Sequence, residues 1–278
     1  MSDVSDEHTA PIDEEALAEA YNRALALEKS GDFDAAAIAY AEVLRLDPAD
    51  HGGAAVRLAS MGRGETPPKA PDAYVTTLFD QHAGDFESIL VDQLGYDVPL
   101  LVREALLVHA PGPYGRMLDL GCGTGLSGET LRDMAGHITG VDLSETMLEV
   151  TDEKDVYDAL YAGEAVDFLE NADVEPFDLI TATDVLPYLG HLEAFFAGAA
   201  SCTVAGAILA FSSETLPDET MKGRAFMVGP HQRFAHAESY VRETLAAGGF
   251  ACLCFEPITV RHEMGQPVPG HLVLARRQ

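Results

Sequence analysis

Apolar residues recur every three to four positions over 14–30, where Leu17, Ala20, Tyr21, Ala24 and Leu27 trace one face, so this stretch predicts an amphipathic helix. Gly31-Asp32 interrupts the pattern, and a second helix is expected over 33–46 with Ala36, Ile38, Tyr40, Val43 and Leu44 on its apolar side. Asp47-Pro48 stops it, because proline has no N–H to donate to the helix ladder. A short capping helix follows at 51–61, then a Gly/Pro linker, GRGETPPKAP, separates an all-α segment (14–62) from the rest. Past this linker (63–72) the pattern changes. Short apolar runs at 116–120, 138–142, 159–162, 177–182, 207–212, 250–260 and 271–276 read as strands, with helices fitting between the first six. Such alternation implies an α/β fold with a mostly parallel, doubly wound sheet over 73–278. The last two runs are joined only by 261–270, too short for a crossover helix, so the final strand should be antiparallel.

The chain has 278 residues and is 47% hydrophobic, enough for one full α/β core and a small appendage. Its formal net charge of -29 repels a phosphate backbone, so nucleic acid is not an expected partner; the charge suits solubility or a basic partner. Residues 1–13 read as a disordered acidic tail without the apolar region of a secretory signal. No stretch reaches the ~20 apolar residues of a membrane span. Cys122, Cys202, Cys252 and Cys254 form neither a CxxC pair nor a Cys/His group with zinc spacing, so no metal is expected. Cys252 and Cys254 read as core and neighbour positions of one strand. A reducing, cytoplasmic setting follows.

The chemistry lies in 117–125, MLDLGCGTG. A strand ending at Leu120 runs into Gly121, Gly123 and Gly125, which permit a tight turn and close approach of backbone to a ligand. Gly123, Gly125 and Gly128 also satisfy the dinucleotide pattern GxGxxG. Three features favour S-adenosylmethionine (SAM) instead. Asp119, inside the strand end, suits the cationic amino group of a methionine moiety, directly or through water, and would repel a pyrophosphate. Asp142, able to accept both ribose hydroxyls, lies only 14 positions after Gly128, against ~20 in the dinucleotide fingerprint, but 21 after Gly121. The antiparallel last strand is the third.

With LDLGCGTG, ITGVDLSETML and FDLITATDVLPYL in order, residues from Tyr74 onward resemble class I SAM-dependent methyltransferases. That resemblance implies a Rossmann-like seven-stranded sheet with SAM as methyl donor and S-adenosylhomocysteine as product. The run 30–48, with small Ala24 and Ala36 where two helices must touch and Tyr40 at an aromatic position, resembles part of a tetratricopeptide (TPR) repeat, although Ala20 replaces the usual tryptophan. The whole chain thus resembles predicted methyltransferases carrying N-terminal TPR repeats, and the Williams–Beuren chromosome-region methyltransferase-like proteins.

The resemblance further implies that Gly121, Cys122, Gly123 and Gly125 pack on the amino-acid and ribose portions of SAM, that Asp142 binds the ribose hydroxyls, and that Leu143 and Met147 line the adenine. Leu143, Met147 and Leu186 suit core packing equally. Glu164 or the N–H of Ala165 would face the adenine edge, with glutamate in place of the family's usual aspartate. Asp184 and Val185 follow the fourth strand near the reactive sulfonium. The segment 73–110 resembles a lid, offering Tyr74, Phe79, His82 and Phe86. The connection 229–236 caps the same end of the sheet: Arg233 could pair with an acidic acceptor, and His231 or His236 could act as a base. Arg261, His262 and Glu263 are expected at the surface of the hairpin.

Methyl transfer from SAM needs orientation first and a base only for a protonated acceptor. Three readings follow: a methyltransferase acting on a small-molecule O, N or S acceptor, a protein methyltransferase docking its target through the TPR-like segment, and a SAM-binding assembly or regulatory factor without turnover.

Overall fold

A computed structural model describes residues 13–81 and 83–278; the expected tail is outside the described residues except for Asp13, and so is His82. The N-terminal unit comprises helices α1 (Glu14–Ser30), α2 (Phe33–Leu46) and α3 (Ala54–Ser60). Asp13 and Asp32 each accept a backbone N–H three residues on, at Ala16 and Ala35, which starts the two long helices. Gly31, at φ 81°, ends α1 with its N–H on the Glu28 carbonyl. Ala20, Ala24, Ala36, Ala39 and Tyr40 form the seam between α1 and α2. Ile38 departs from expectation: it is 76% exposed, because it stands two residues from both Ala36 and Tyr40 and so turns to the opposite side of the helix.

The segment between α3 and α4 (Asp72–Asp80) is strapped down rather than loose. Ala70 donates to the Tyr188 carbonyl at 2.8 Å, and Gly190 and His191 both donate to the Pro68 carbonyl. Val56 of α3 is buried with Ala70, Val228 and Phe234, against which Tyr74 and Val75 of α4 also pack. The helical unit is therefore continuous with the rest of the molecule. After α4 come a short 3₁₀ turn, a π-helical turn (Ser88–Gln93) and α5 (Val98–His109).

The sheet contains β1 (Tyr114–Leu120), β2 (Ala135–Asp142), β3 (Ala159–Ala162), β4 (Phe177–Ala182), β5 (Thr203–Glu214), β6 (Phe226–Val228), β7 (Phe234–His236), β8 (Phe250–Glu263) and β9 (Gln266–Arg277). Helices α6 (Leu126–Leu131), α7 (Glu145–Asp152), α8 (Ala165–Asn171), α9 (Glu193–Ser201), α10 (Asp218–Met221) and α11 (Glu238–Ala247) connect them. Strands β3-β2-β1-β4-β5 are parallel, β9 lies antiparallel beside β5, and β8 pairs antiparallel with β9. This is the expected α/β Rossmann-like arrangement with an antiparallel last strand. The final hairpin is longer than expected, turning tightly through Met264 and Gly265, both at positive φ. One element was not legible: β6 and β7, three residues each, form a small hairpin attached to the end of β5 through Glu214 and Ala235.

Two apolar layers cover the sheet, one built on Leu118, Ile180, Phe195 and Phe211, the other on Met117, Leu179, Val102 and Leu106. A bulge between Cys252 and Cys254 changes which face each cysteine takes, leaving Cys252 exposed and Cys254 buried. Among the described residues no helix is long and apolar enough to cross a membrane.

Gly270 sits where β9 passes closest to β5. A Cβ there would lie 2.2 Å from the Ser213 carbonyl oxygen and 2.4 Å from Val260 Cγ2. Gly270→Ala should therefore cost about 3 kcal/mol in denaturant unfolding, whereas Gly163→Ala, with nothing within 4 Å, should stay within about 0.5 kcal/mol of wild type.

Candidate functional site

In a doubly wound sheet the crevice opens outside the carboxyl ends of the strands, where the strand order reverses, here between β1 and β4. A cleft partly open to solvent lies there. Gly121, Gly123 and Gly125 take φ values of 61°, 54° and 94°, so the backbone doubles back between β1 and α6 in conformations that side chains disfavour. A Cβ on Gly121 would also come within 2.5 Å of Val185 Cγ2. The cleft is lined by Gly121, Cys122, Gly123, Asp142, Leu143, Glu164, Ala165, Asp184 and Val185, which the sequence had nominated, and by Phe79 and Phe86 of the lid.

Asp142 ends β2 at the cleft wall. Its carboxylate accepts N–H donors from Gly123 at 2.8 Å and Ser144 at 2.9 Å. Burial pushes its pKa upward against these backbone bonds. Glu164 caps α8, accepting from Val166 and Asp167 N–H. The lid is latched over the cleft. Asp80 accepts from Ser144 Oγ at 2.5 Å, Glu87 from Lys154 at 2.5 Å, and Phe79 stacks edge-on against both Phe86 and Tyr188.

Several nominated residues stand elsewhere. Asp119 is fully buried and does not line the cleft; its carboxylate accepts from Tyr157 and Thr181 hydroxyls, both at 2.6 Å. Burial raises its pKa to about 6, and Thr181 and Tyr157 only partly offset this. Met147 is a buried core residue of α7, not a wall of the cleft. Gly125 precedes α6 just outside the lining, donating to the Cys122 carbonyl. Tyr74 faces away, its ring packed over Gly53 of the helical unit. Such departures share a cause: a strand or helix position fixes a face, but loops such as that carrying Tyr157 decide which polar group occupies it.

The connection after β5 departs further. His236 belongs to β7, is wholly buried, and places Nε2 2.8 Å from the Leu189 carbonyl. Burial lowers its pKa to about 4, so it is a neutral core residue rather than a base in this cleft. His231 lies 2.8 Å from Glu263, outside the cleft. Arg233 is not free to pair with an acidic acceptor. Its Nε donates to Glu214 at 2.6 Å, Nη1 to Tyr188 at 2.5 Å and Nη2 to Asp184 at 2.5 Å. Arg261, expected at the surface, is only 3% exposed and bonds Glu214 and Glu263. Burial disfavours the Glu214 carboxylate, but Arg233 and Arg261 outweigh it and lower its pKa. Glu214, Tyr188 and Arg261 were missed as site residues. A charged residue ending an apolar run, as Glu214 ends β5, was the available signal.

Except for Glu214, the members of this ionic group line a second space that shares Phe79, Phe86, Asp184 and Tyr188 with the cleft. Leu78, Phe79, Phe86, Ile89, Leu90 and Leu94 of the lid roof it, and Asp184, Tyr188, Arg233, Arg261 and Glu263 form its floor. Outside both spaces, the ligand atoms of His109, Cys254 and Glu256 lie within 4.8 Å of one another.

Residues 118–209 match the family described as Methyltransferase domain. The ubiquinone biosynthesis O-methyltransferase of Hahella chejuensis is 31% identical over 108 residues, which cover 36% of this chain and 44% of that protein. The chain thus spans less than half of that curated relative's length. Two solved structures share the fold. The [4+2]-cyclase SpnF has a TM-score of 0.60 at 15% identity, covering 77% of this chain and 99% of SpnF. The N-methyltransferase NodS of Bradyrhizobium japonicum WM9, in complex with S-adenosylhomocysteine, has a TM-score of 0.57 at 17% identity, covering 73% of this chain and 97% of NodS.

The His236 assignment has a pH signature. Because its folded pKa is lowered from 6.5 to about 4, its contribution to stability is complete above pH 6.5 and is lost as pH falls toward 4. The stability difference between wild type and His236→Gln should change by about 3 kcal/mol between pH 7 and pH 4 in urea titrations. A difference independent of pH would place His236 in contact with solvent.

Proposed function

We propose that this protein is a SAM-dependent methyltransferase acting on a small-molecule O, N or S acceptor. The observation that carries this reading is the cleft itself. A loop of three left-handed glycines faces a carboxylate, Asp142, that ends the neighbouring strand, and a latched aromatic lid covers both. The match of 118–209 to a methyltransferase domain supports the same reading.

The residues present fit the cofactor. Gly121, Cys122 and Gly123 offer backbone free of bulk for the amino-acid portion, and Asp142, already held by two N–H donors, presents its carboxylate to a pair of ribose hydroxyls. Leu143 and the start of α8, Glu164 and Ala165, line the same cleft, which supports the reading that they flank an adenine. When bound, SAM supplies an electrophilic methyl and its own leaving group, so the protein's work is orientation and exclusion of water. Phe79 and Phe86 close the cleft from the lid side, and Asp184 and Val185 close it from β4. Asp184 takes φ 64° and donates its N–H to Ser212 Oγ at 2.9 Å, a strained conformation kept by its surroundings.

The N-terminal helices read as a TPR-like unit that braces the lid. Docking of a protein target through it has less support, since the apolar side of α3 is spent on β6, β7 and α4. The anionic surface argues against nucleic acid, and four free cysteines suit a reducing compartment such as the cytoplasm.

Incubation with SAM and metabolite pools should release S-adenosylhomocysteine; SAM binding without product from any broad pool would favour the turnover-free reading. Asp142→Ala should weaken S-adenosylhomocysteine binding by about 3 kcal/mol, two bonds to a charged group at ~1.5 each. Titration calorimetry giving wild-type affinity would refute the ribose role.

A further inference from the structure

The floor beneath the lid carries an imbalance of charge. Two guanidiniums, Arg233 and Arg261, stand among three carboxylates, Asp184, Glu214 and Glu263. Both guanidiniums are paired with carboxylates. Each directs Nε, Nη1 and Nη2 at protein oxygens, Arg233 at Glu214, Tyr188 and Asp184, Arg261 at Glu263 and Glu214. Arg233 also lies over the Tyr188 ring, 4.8 Å from its centre, which blocks that face of the guanidinium. Among the described residues, an incoming anion would find no cation there without a carboxylate partner and would add a further buried negative charge. His231 does not change this, because it points at Glu263 rather than at the space under the lid.

Asp184 is the carboxylate shared by the cofactor cleft and this second space. Its Oδ1 accepts from Arg233, and among the described residues no donor reaches Oδ2. A ligand O–H or N–H would complete it. Opposite the floor, the described roof residues are all apolar, which suits a ligand with an apolar body.

We propose, on the basis of the methyltransferase reading, that the acceptor is an amphipathic molecule that is uncharged or cationic at its reacting end. It offers a hydroxyl or amine hydrogen to Asp184 and lays an apolar body under the lid, and carboxylate acceptors are rejected.

The test uses full-length protein loaded with S-adenosylhomocysteine, which carries no transferable methyl. Three probes of one shape, phenylpropylamine, phenylpropanol and phenylpropanoate, are titrated by calorimetry. The amine and the alcohol should each bind at least about tenfold more tightly than the carboxylate, the factor expected for one unfavourable buried charge contact. Asp184→Asn should bring the amine and carboxylate affinities closer by about the same factor. The ranking in wild-type protein does not depend on how that variant folds. Equal or tighter binding of the carboxylate, or binding of none of the three, overturns the inference. Normal S-adenosylhomocysteine binding with the wrong ranking defeats the acceptor class alone, whereas absence of S-adenosylhomocysteine binding defeats the methyltransferase reading and this inference together.

Discussion

The open end of the sheet depends on a buried ionic group drawn from four separate stretches of chain. Asp184 follows β4, Glu214 ends β5, Arg233 immediately precedes β7, and Arg261 and Glu263 end β8. Taking five charges out of water is costly, and such a group persists because each charge meets an opposite one at hydrogen-bonding distance. Removing any one would strand the others. The group gathers where β5, paired with β9 along most of its length, also meets β7 at Glu214. Four of its members line the space beneath the lid.

The roof over that space is held from two directions. Towards the glycine loop, Asp80 and Glu87 tie the lid to the two ends of α7, through Ser144 and Lys154. Away from it, Tyr74 and Val75 pack into a cluster with Val56, Val228 and Phe234, so the N-terminal helices support the lid through the same side chains that cover β6 and β7. The strap at Pro68 and Ala70, bonded to the segment after β4, leaves the helical unit little freedom to move independently.

Two carboxylates near neighbouring strand ends differ in their surroundings. Asp119 and Asp184 follow similar apolar runs, in β1 and β4. Asp119 points into the protein, where two hydroxyls satisfy it and burial raises its pKa to about 6. Asp184, at φ 64°, lines both the cleft and the chamber beneath the lid, and its Oδ1 accepts from Arg233.

By itself, the sequence determined the α/β class, the order of the main strands, the antiparallel ending and the glycine loop with Asp142, because each rests on local rules: periodicity, loop length, and the backbone freedom of glycine. It also marked where the two long N-terminal helices stop, at Gly31-Asp32 and at Asp47-Pro48. Only the tertiary structure decided the fate of the polar residues. Arg233 and His236 stand three positions apart near one short strand, yet one floors the chamber and the other lies in the core. The bulge at Cys254, the pairing of Asp184 with Arg233 and the burial of Arg261 arise from partners distant in sequence. Charges are placed by the oppositely charged groups that folding brings to them, and no periodicity along the chain encodes those encounters.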